Sequence, residues 1–97
     1  EYIDCLMRGA KAYPNDVTAV NNAALALMEA NRTDEAIRLL ENAPEDGSLL
    51  NMKGVAYAKA GQYDKASQAF SAAKAKGFSQ AGENLTLLKQ YVEYMAE

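Results

Sequence analysis

The chain has 97 residues, which is enough for one domain with a modest core. Its formal net charge is −3, and ten Lys and Arg are scattered among thirteen Asp and Glu. Proteins that bind nucleic acid present a clustered basic face, so this composition disfavours a nucleic-acid partner. The longest uncharged run covers residues 17–28. A membrane-spanning helix needs about 20 apolar residues, so we expect no direct membrane insertion.

The composition favours an all-α fold. Alanine, the best helix former, supplies 19 residues, whereas the β-branched Val and Ile supply only four and two. Both prolines, Pro14 and Pro44, lie between the segments with helical periodicity. In chain order, the pattern predicts helices over residues 2–12, 16–30, 33–42, 48–60, 63–76 and 80–95.

Residues suited to helix ends separate these segments. Asp16 and Thr33 are predicted to cap the helices that follow them, because a short oxygen-bearing side chain can accept from the first free backbone N–H groups. Asn31, Gly61 and Gly77 are predicted to end helices, because Asn and Gly best tolerate the left-handed conformation that closes a helix.

The sequence contains the pattern of one helical hairpin twice. Residues 19–31 correspond to residues 49–61, and residues 33–43 correspond to residues 63–73, with a constant offset of 30 residues. A pair of antiparallel helices cannot bury both apolar faces alone, so such repeats stack on one another. The duplication therefore predicts a short stack of hairpins.

The second hairpin resembles the tetratricopeptide (TPR) repeat family. The small and aromatic residues that match the family's spacing are Gly54, Tyr57, Gly61, Tyr63, Ala66, Phe70 and Ala73. The resemblance implies an all-α, right-handed solenoid in one domain, 1–97: a half-repeat helix (1–14), repeat one (15–46), repeat two (47–78) and a C-terminal capping helix (79–97). The offset of 30 is shorter than the family's usual 34 residues, and the shortfall lies in residues 42–47.

Small residues are expected where the two helices of a hairpin cross. We predict that Gly54 faces Ala66, at a place where no larger side chain fits, since a glycine inside a helix costs about 1 kcal/mol relative to alanine. Tyr57 and Phe70 are expected to fill the space between hairpins. The single cysteine, Cys5, is expected to be a small buried residue.

Residue types that carry chemistry are scarce, which predicts a protein that is not an enzyme. The chain has no histidine and one cysteine, so the commonest general base and metal ligand is missing. The acidic turn at Glu45 and Asp46 lacks the ligand spacing of a calcium loop and suits a helix start. We predict no metal and no cofactor.

In the TPR family the first helix of each hairpin lines a concave groove. The resemblance, combined with helical spacing, predicts a peptide-binding groove lined by Asn21, Asn22, Leu25, Met28, Asn51, Met52, Val55, Lys59 and Lys89. Asn21 and Asn51 are repeat-equivalent, and their amides could hold a peptide backbone; the alternative is an ordinary solvated polar edge.

Some family members grip the C-terminal carboxylate of a chaperone with cations. The matching positions of this chain carry no cation: they are Asn21, Leu25, Met52, Gly82 and Thr86. That function is therefore not expected here.

The predicted function is a non-catalytic module that binds a protein or peptide partner, as part of a larger protein. Since the sequence begins at Glu1 and not at Met, we expect a cut fragment or a processed product. The alternative is a structural spacer whose groove is filled by its own parent chain. The segment 13–16 and the last helix resemble the short TPR tails of larger bacterial cell-envelope proteins. The sequence leaves the partner's identity and the oligomeric state open.

Overall fold

The computed structural model describes residues 2–96, and within them the protein consists of six α-helices without strands. The helices are α1 (Tyr2–Ala12), α2 (Val17–Glu29), α3 (Thr33–Glu41), α4 (Gly47–Lys59), α5 (Tyr63–Ala75) and α6 (Gln80–Ala96). The predicted all-α class is confirmed, and each bound lies within one residue of its prediction. Glu1 and Glu97, the ends of the predicted domain, lie outside the described residues. None of the helices described is long and apolar enough to cross a membrane.

Most of the predicted helix ends are confirmed. Asp16 accepts a hydrogen bond from the backbone N–H of Ala19 at 3.2 Å, as an N-cap should. Asn31 and Gly61 follow α2 and α4 with φ angles of +62° and +83°. The prediction for Thr33 is wrong, because this residue already belongs to α3.

Arg32 occupies the N-cap position of α3 without a capping side-chain bond. Its guanidinium instead donates to both carboxylate oxygens of Glu35 in the first helical turn, at 2.6 and 2.8 Å. This ion pair lowers the pKa of Glu35, chiefly through the hydrogen bonds from Arg32. The start of α3 is therefore held by a side-chain pair one turn apart.

The helices stack in a fixed order. We call α2, α4 and α6 the A helices and α1, α3 and α5 the B helices. Among the described residues, α4 contacts α2 on one side and α6 on the other, whereas no two B helices are in contact. The stack is therefore closed along its A-helix side and open along its B-helix side.

The clipped repeat is explained by a short B helix. α3 has 9 residues and α5 has 13, so the first hairpin lacks about one helical turn at its end. Asp46 then starts α4 after a brief connection, accepting from the backbone N–H groups of Ser48 and Leu49 at 2.9 and 3.4 Å. The acidic turn thus has the capping role that the sequence predicts.

Close approach of α4 and α5 depends on one glycine. A Cβ atom on Gly54 would lie only 2.5 Å from the Phe70 ring, so the prediction that nothing larger fits is confirmed. The three atoms nearest to that Cβ position all belong to the ring of Phe70, so this side chain limits the space above Gly54. Ala66 is itself fully buried.

The core runs through the stack along the faces where helices meet. Its largest fully buried side chains are Leu27, Leu49 and Val20. α1 joins this core through Ile3, Leu6, Met7 and Ala10, which share one helical face. Cys5 lies off that face and is exposed, so the prediction of a buried thiol is wrong.

Candidate binding face on the A helices

The two asparagines predicted to hold a peptide, Asn21 and Asn51, form hydrogen bonds within the protein. The Nδ2 of Asn21 on α2 donates to the Ser48 hydroxyl on α4 at 3.2 Å. That hydroxyl donates in turn to the Asp46 carboxylate at 2.7 Å, and this bond is the largest cause of the lowered pKa of Asp46. The Asn21 Oδ1 is enclosed and has no hydrogen-bond partner among residues 2–96.

The equivalent asparagine of the second hairpin, Asn51, also bonds to the next A helix, but as an acceptor. The Nδ2 of Asn84 on α6 donates to the Oδ1 of Asn51 on α4 at 2.8 Å. Each of the two repeat-equivalent asparagines therefore links its own A helix to the next one. Both are only partly exposed. One group of each amide bonds within the stack. A bound peptide could therefore use only the hydrogen-bonding groups of these amides that are not already engaged.

Sequence reasoning missed the two partners, Ser48 and Asn84. A local signal existed for Ser48, because a serine just after the N-cap Asp46 lies in the first turn of α4. Asn84 could not be found in this way. Its contact with Asn51 depends on the register between α4 and α6, and helical periodicity within one segment does not determine that register.

Two apolar side chains remain exposed on adjoining A helices. Leu25 is 46% exposed and Val55 is 38% exposed, and they occupy equivalent positions 30 residues apart. Each lies one helical turn after the asparagine that links its helix to the next. The predicted neighbours Asn22 and Lys59 are also exposed. We call Asn22, Leu25, Val55 and Lys59 the A-helix face.

Three other predicted groove residues lie in different surroundings. Met28 is 4% exposed and belongs to the core, so its prediction as a groove residue is wrong. Its place on α2, one turn after Ala24, points it inward with that buried face. Met52 is half-buried and packs against the core. Lys89 is exposed and borders a groove between α5 and α6, beside Tyr63 and Asp64.

Potential metal ligands are dispersed over the described helices. Within the part of the chain that the structure describes, no three His, Cys, Asp or Glu side chains are placed to hold a metal ion. Buried polar or charged residues are also absent from that part. The A-helix face combines two exposed apolar side chains, Leu25 and Val55, with the exposed polar side chains of Asn22 and Lys59.

Comparison with known proteins identifies a repeat family. A family model described as tetratricopeptide repeat matches residues 27–85, which is more than half of the chain. The matched segment contains α3, α4 and α5 in full, including the close contact at Gly54. No curated protein and no solved structure matches the chain. The duplicated hairpin, the alternating stack and the family model agree, and the chain belongs to the tetratricopeptide repeat family.

Proposed function

We propose that the chain is a non-catalytic interaction module whose A-helix face binds a segment of a partner protein. Tetratricopeptide repeats generally serve as protein-interaction modules. The observation that carries the proposal is the exposure of Leu25 and Val55 at equivalent positions of neighbouring helices. Exposed apolar side chains at the repeat interval give a partner two regularly spaced anchors.

The partner contact is expected to be mainly apolar. Asn21 and Asn51 already bond to the neighbouring A helices, so they contribute little to holding a peptide backbone. An amphipathic helix can place its apolar side chains against such a face, with its polar side chains toward Asn22 and Lys59. The proposed ligand is therefore an amphipathic segment of a partner protein.

The experiment is a quantitative pull-down from the source cell with the wild-type chain and two variants. Leu25→Asp with Val55→Asp places charges on the A-helix face. Leu87→Asp with Tyr94→Asp is the matched control, because these side chains are exposed on α6, outside that face. We expect the control to retain the same partner as wild type and the A-helix variant to lose it. Equal retention by all three chains would contradict the proposal.

Retention of no protein by any version would favour the structural alternative. In that case the parent chain's own segment would cover the A-helix face, and the larger protein should bury Leu25 and Val55. Cross-linking from a cysteine placed at Leu25, in the Cys5→Ser background, would then capture a segment of the same polypeptide.

A further inference from the structure

The B-helix side of the stack carries a groove that the proposed function does not use. It has a volume of about 470 Å³ and lies between α1 and α3, which are not in contact with each other. Its apolar lining includes Met7, Pro14, Leu39 and Ala43, and its floor is Val20 of α2. The groove lies where α1 and α3 both contact α2 but do not contact each other.

A second groove occupies the equivalent place one repeat later. It has a volume of about 300 Å³ and is lined by residues of α4 and α5. The equivalent lining pairs, each separated by 30 residues, are Val20 and Leu50, Glu35 and Lys65, Arg38 and Gln68, Leu39 and Ala69, and Asn42 and Ala72. The second groove therefore repeats the α2 and α3 part of the first groove, without lining residues from the preceding B helix.

Cations border both grooves although the whole chain is acidic. Lys11 and Arg38 line the first groove, and neither forms a salt bridge within residues 2–96. The only acidic lining residue there is Glu35, which is already paired with Arg32 at 2.6 Å. Both cations lie near enough to help lower the pKa of Glu35, after the larger effect of Arg32.

Cationic side chains also line the second groove. Lys53 and Lys65 line it, with the Lys65 ammonium 5.7 Å from the centre of the Tyr57 ring. The nearby carboxylate of Glu41 accepts the Tyr57 hydroxyl at 2.7 Å. The first groove thus combines a mainly apolar lining with two cations, and the second combines a mixed polar and apolar lining with two cations, on a chain whose net charge is −3.

We propose that the B-helix grooves form a second docking surface for an acidic amphipathic segment of a partner protein, independent of the A-helix face. Large apolar side chains of the segment enter the groove between α1 and α3. Its carboxylates lie against Lys11 and Arg38 and continue toward Lys53 and Lys65. Complementary charge selects this partner over a basic one and speeds the encounter. Binding sites for small molecules usually enclose the ligand. A groove that is open along the surface therefore suits a protein segment better.

The experiment uses synthetic probes and fluorescence anisotropy with the whole chain. The probe is a labelled twelve-residue amphipathic peptide of Leu, Phe and Glu. Three peptides of the same length are controls: one with Lys for every Glu, one with Ser for every Leu and Phe, and a labelled polyglutamate. We expect saturable binding of the acidic amphipathic peptide alone. Equal binding of polyglutamate would mean that negative charge alone determines binding. Equal binding of the basic peptide would mean that the surface does not select acidic peptides. Either result overturns the proposal.

Charge-reversal variants locate the binding surface. Lys11→Glu with Arg38→Glu should weaken probe binding about tenfold, because two favourable charge contacts become repulsive. Lys74→Glu with Lys76→Glu makes the same change in net charge at exposed positions at the end of α5 and should leave binding within about twofold. Circular dichroism melting checks that both variants remain folded.

The variants also separate this surface from the proposed A-helix face. The Leu25→Asp and Val55→Asp variant should bind the probe as wild type does, while losing the partner in the pull-down. Loss of the probe in that variant would place the probe on the A helices and overturn the second surface. Absence of saturable binding to wild type up to millimolar probe would also overturn it.

Discussion

Single residues decide how closely neighbouring helices approach. Gly54 gives up about 1 kcal/mol of helix propensity relative to alanine, yet the Phe70 ring occupies the space that a methyl group would need. Gly9 in α1 is the opposite case, because a Cβ atom there would meet nothing within 4 Å. The same residue type therefore has a packing role in α4 and none in α1.

We expect Gly54→Ala to destabilise the protein by about 1–2 kcal/mol, because the cost of overpacking against Phe70 exceeds the gain in helix propensity. Gly9→Ala, the matched control, should stabilise it by up to about 1 kcal/mol. Urea denaturation followed by circular dichroism measures both changes. A Gly54→Ala protein as stable as the Gly9→Ala protein would show that Phe70 moves aside at little cost.

Tyr57 links three helices from a buried position. Its ring packs in the core, its hydroxyl donates to Glu41 of α3 at 2.7 Å, and Lys65 of α5 lies over the ring. Burial, followed by the hydrogen bond to Glu41, raises the pKa of Tyr57 from 10.0 to about 12. The folded protein therefore favours the neutral phenol more strongly than the unfolded chain does.

Tyr57→Phe should lower stability by about 1 kcal/mol at neutral pH, through loss of this hydrogen bond. The raised pKa also fixes a pH dependence. The contribution of Tyr57 is complete below pH 10, where the phenol is neutral in both states, and is lost as the pH rises toward about 12. The stability difference between wild type and Tyr57→Phe should therefore shrink and then change sign over that range, because a shift of about two pKa units outweighs one hydrogen bond. Urea denaturation at each pH measures the difference. A constant difference would contradict the pKa shift.

At the scale of helices, hydrogen bonds between side chains fix the register of the A helices. Asn84 and Asn51 join α6 to α4, and Asn21 and Ser48 join α2 to α4. The two links differ, because the Asn21 Oδ1 is enclosed without a partner among the described residues. An enclosed acceptor without a partner costs about 1–3 kcal/mol, which offsets the bond that the Nδ2 of Asn21 makes.

A double-mutant cycle on Asn51→Ala and Asn84→Ala should give a coupling energy of about 0.5–1.5 kcal/mol. Asn21→Ala should cost less than Asn51→Ala, because it also removes the unsatisfied oxygen. Asn22→Ala, at an exposed position on α2, serves as the control and should change stability by less than about 0.5 kcal/mol. Chemical denaturation supplies the free energies of unfolding of the wild type, the four single variants and the double variant. Zero coupling would mean that the two amides do not bond in solution.

The helices could be predicted from the sequence because their determinants are local. Asp16, Asn31 and Gly61 act on the backbone within one turn, so their residue types suffice to indicate helix ends. The exposure of Leu25 and Val55 followed from helical spacing in the same way. The inward position of Met28, one turn after the buried Ala24, could have been read from the same spacing, whereas the pairing of Asn51 with Asn84 depends on how one helix is rotated against another. Spacing along a single helix does not fix that rotation.

At the scale of the whole molecule, stability is distributed unevenly along the stack. α4 contacts α2, α3, α5 and α6, whereas α1 contacts only α2 among the described helices. α6 is fastened to α5 in part by an edge-to-face contact of Tyr63 with Tyr91, whose ring centres are 5.7 Å apart. In a repeat protein each element is stabilised mainly by its neighbours, so elements with fewer neighbours open first.

Hydrogen exchange measured by mass spectrometry should therefore find α4 the most protected helix and α1 the least. α1 can leave the stack by losing one interface, whereas opening α4 disrupts four. Rates normalised to those of the unfolded chain remove the intrinsic differences between sequences. The Gly54→Ala variant provides an internal control: it should speed exchange in α4 and α5 and leave α1 nearly unchanged, because the perturbed contact lies between α4 and α5. Equal protection of α1 and α4 in the wild type, or a uniform acceleration in the variant, would mean that the six helices open as one cooperative unit and not neighbour by neighbour.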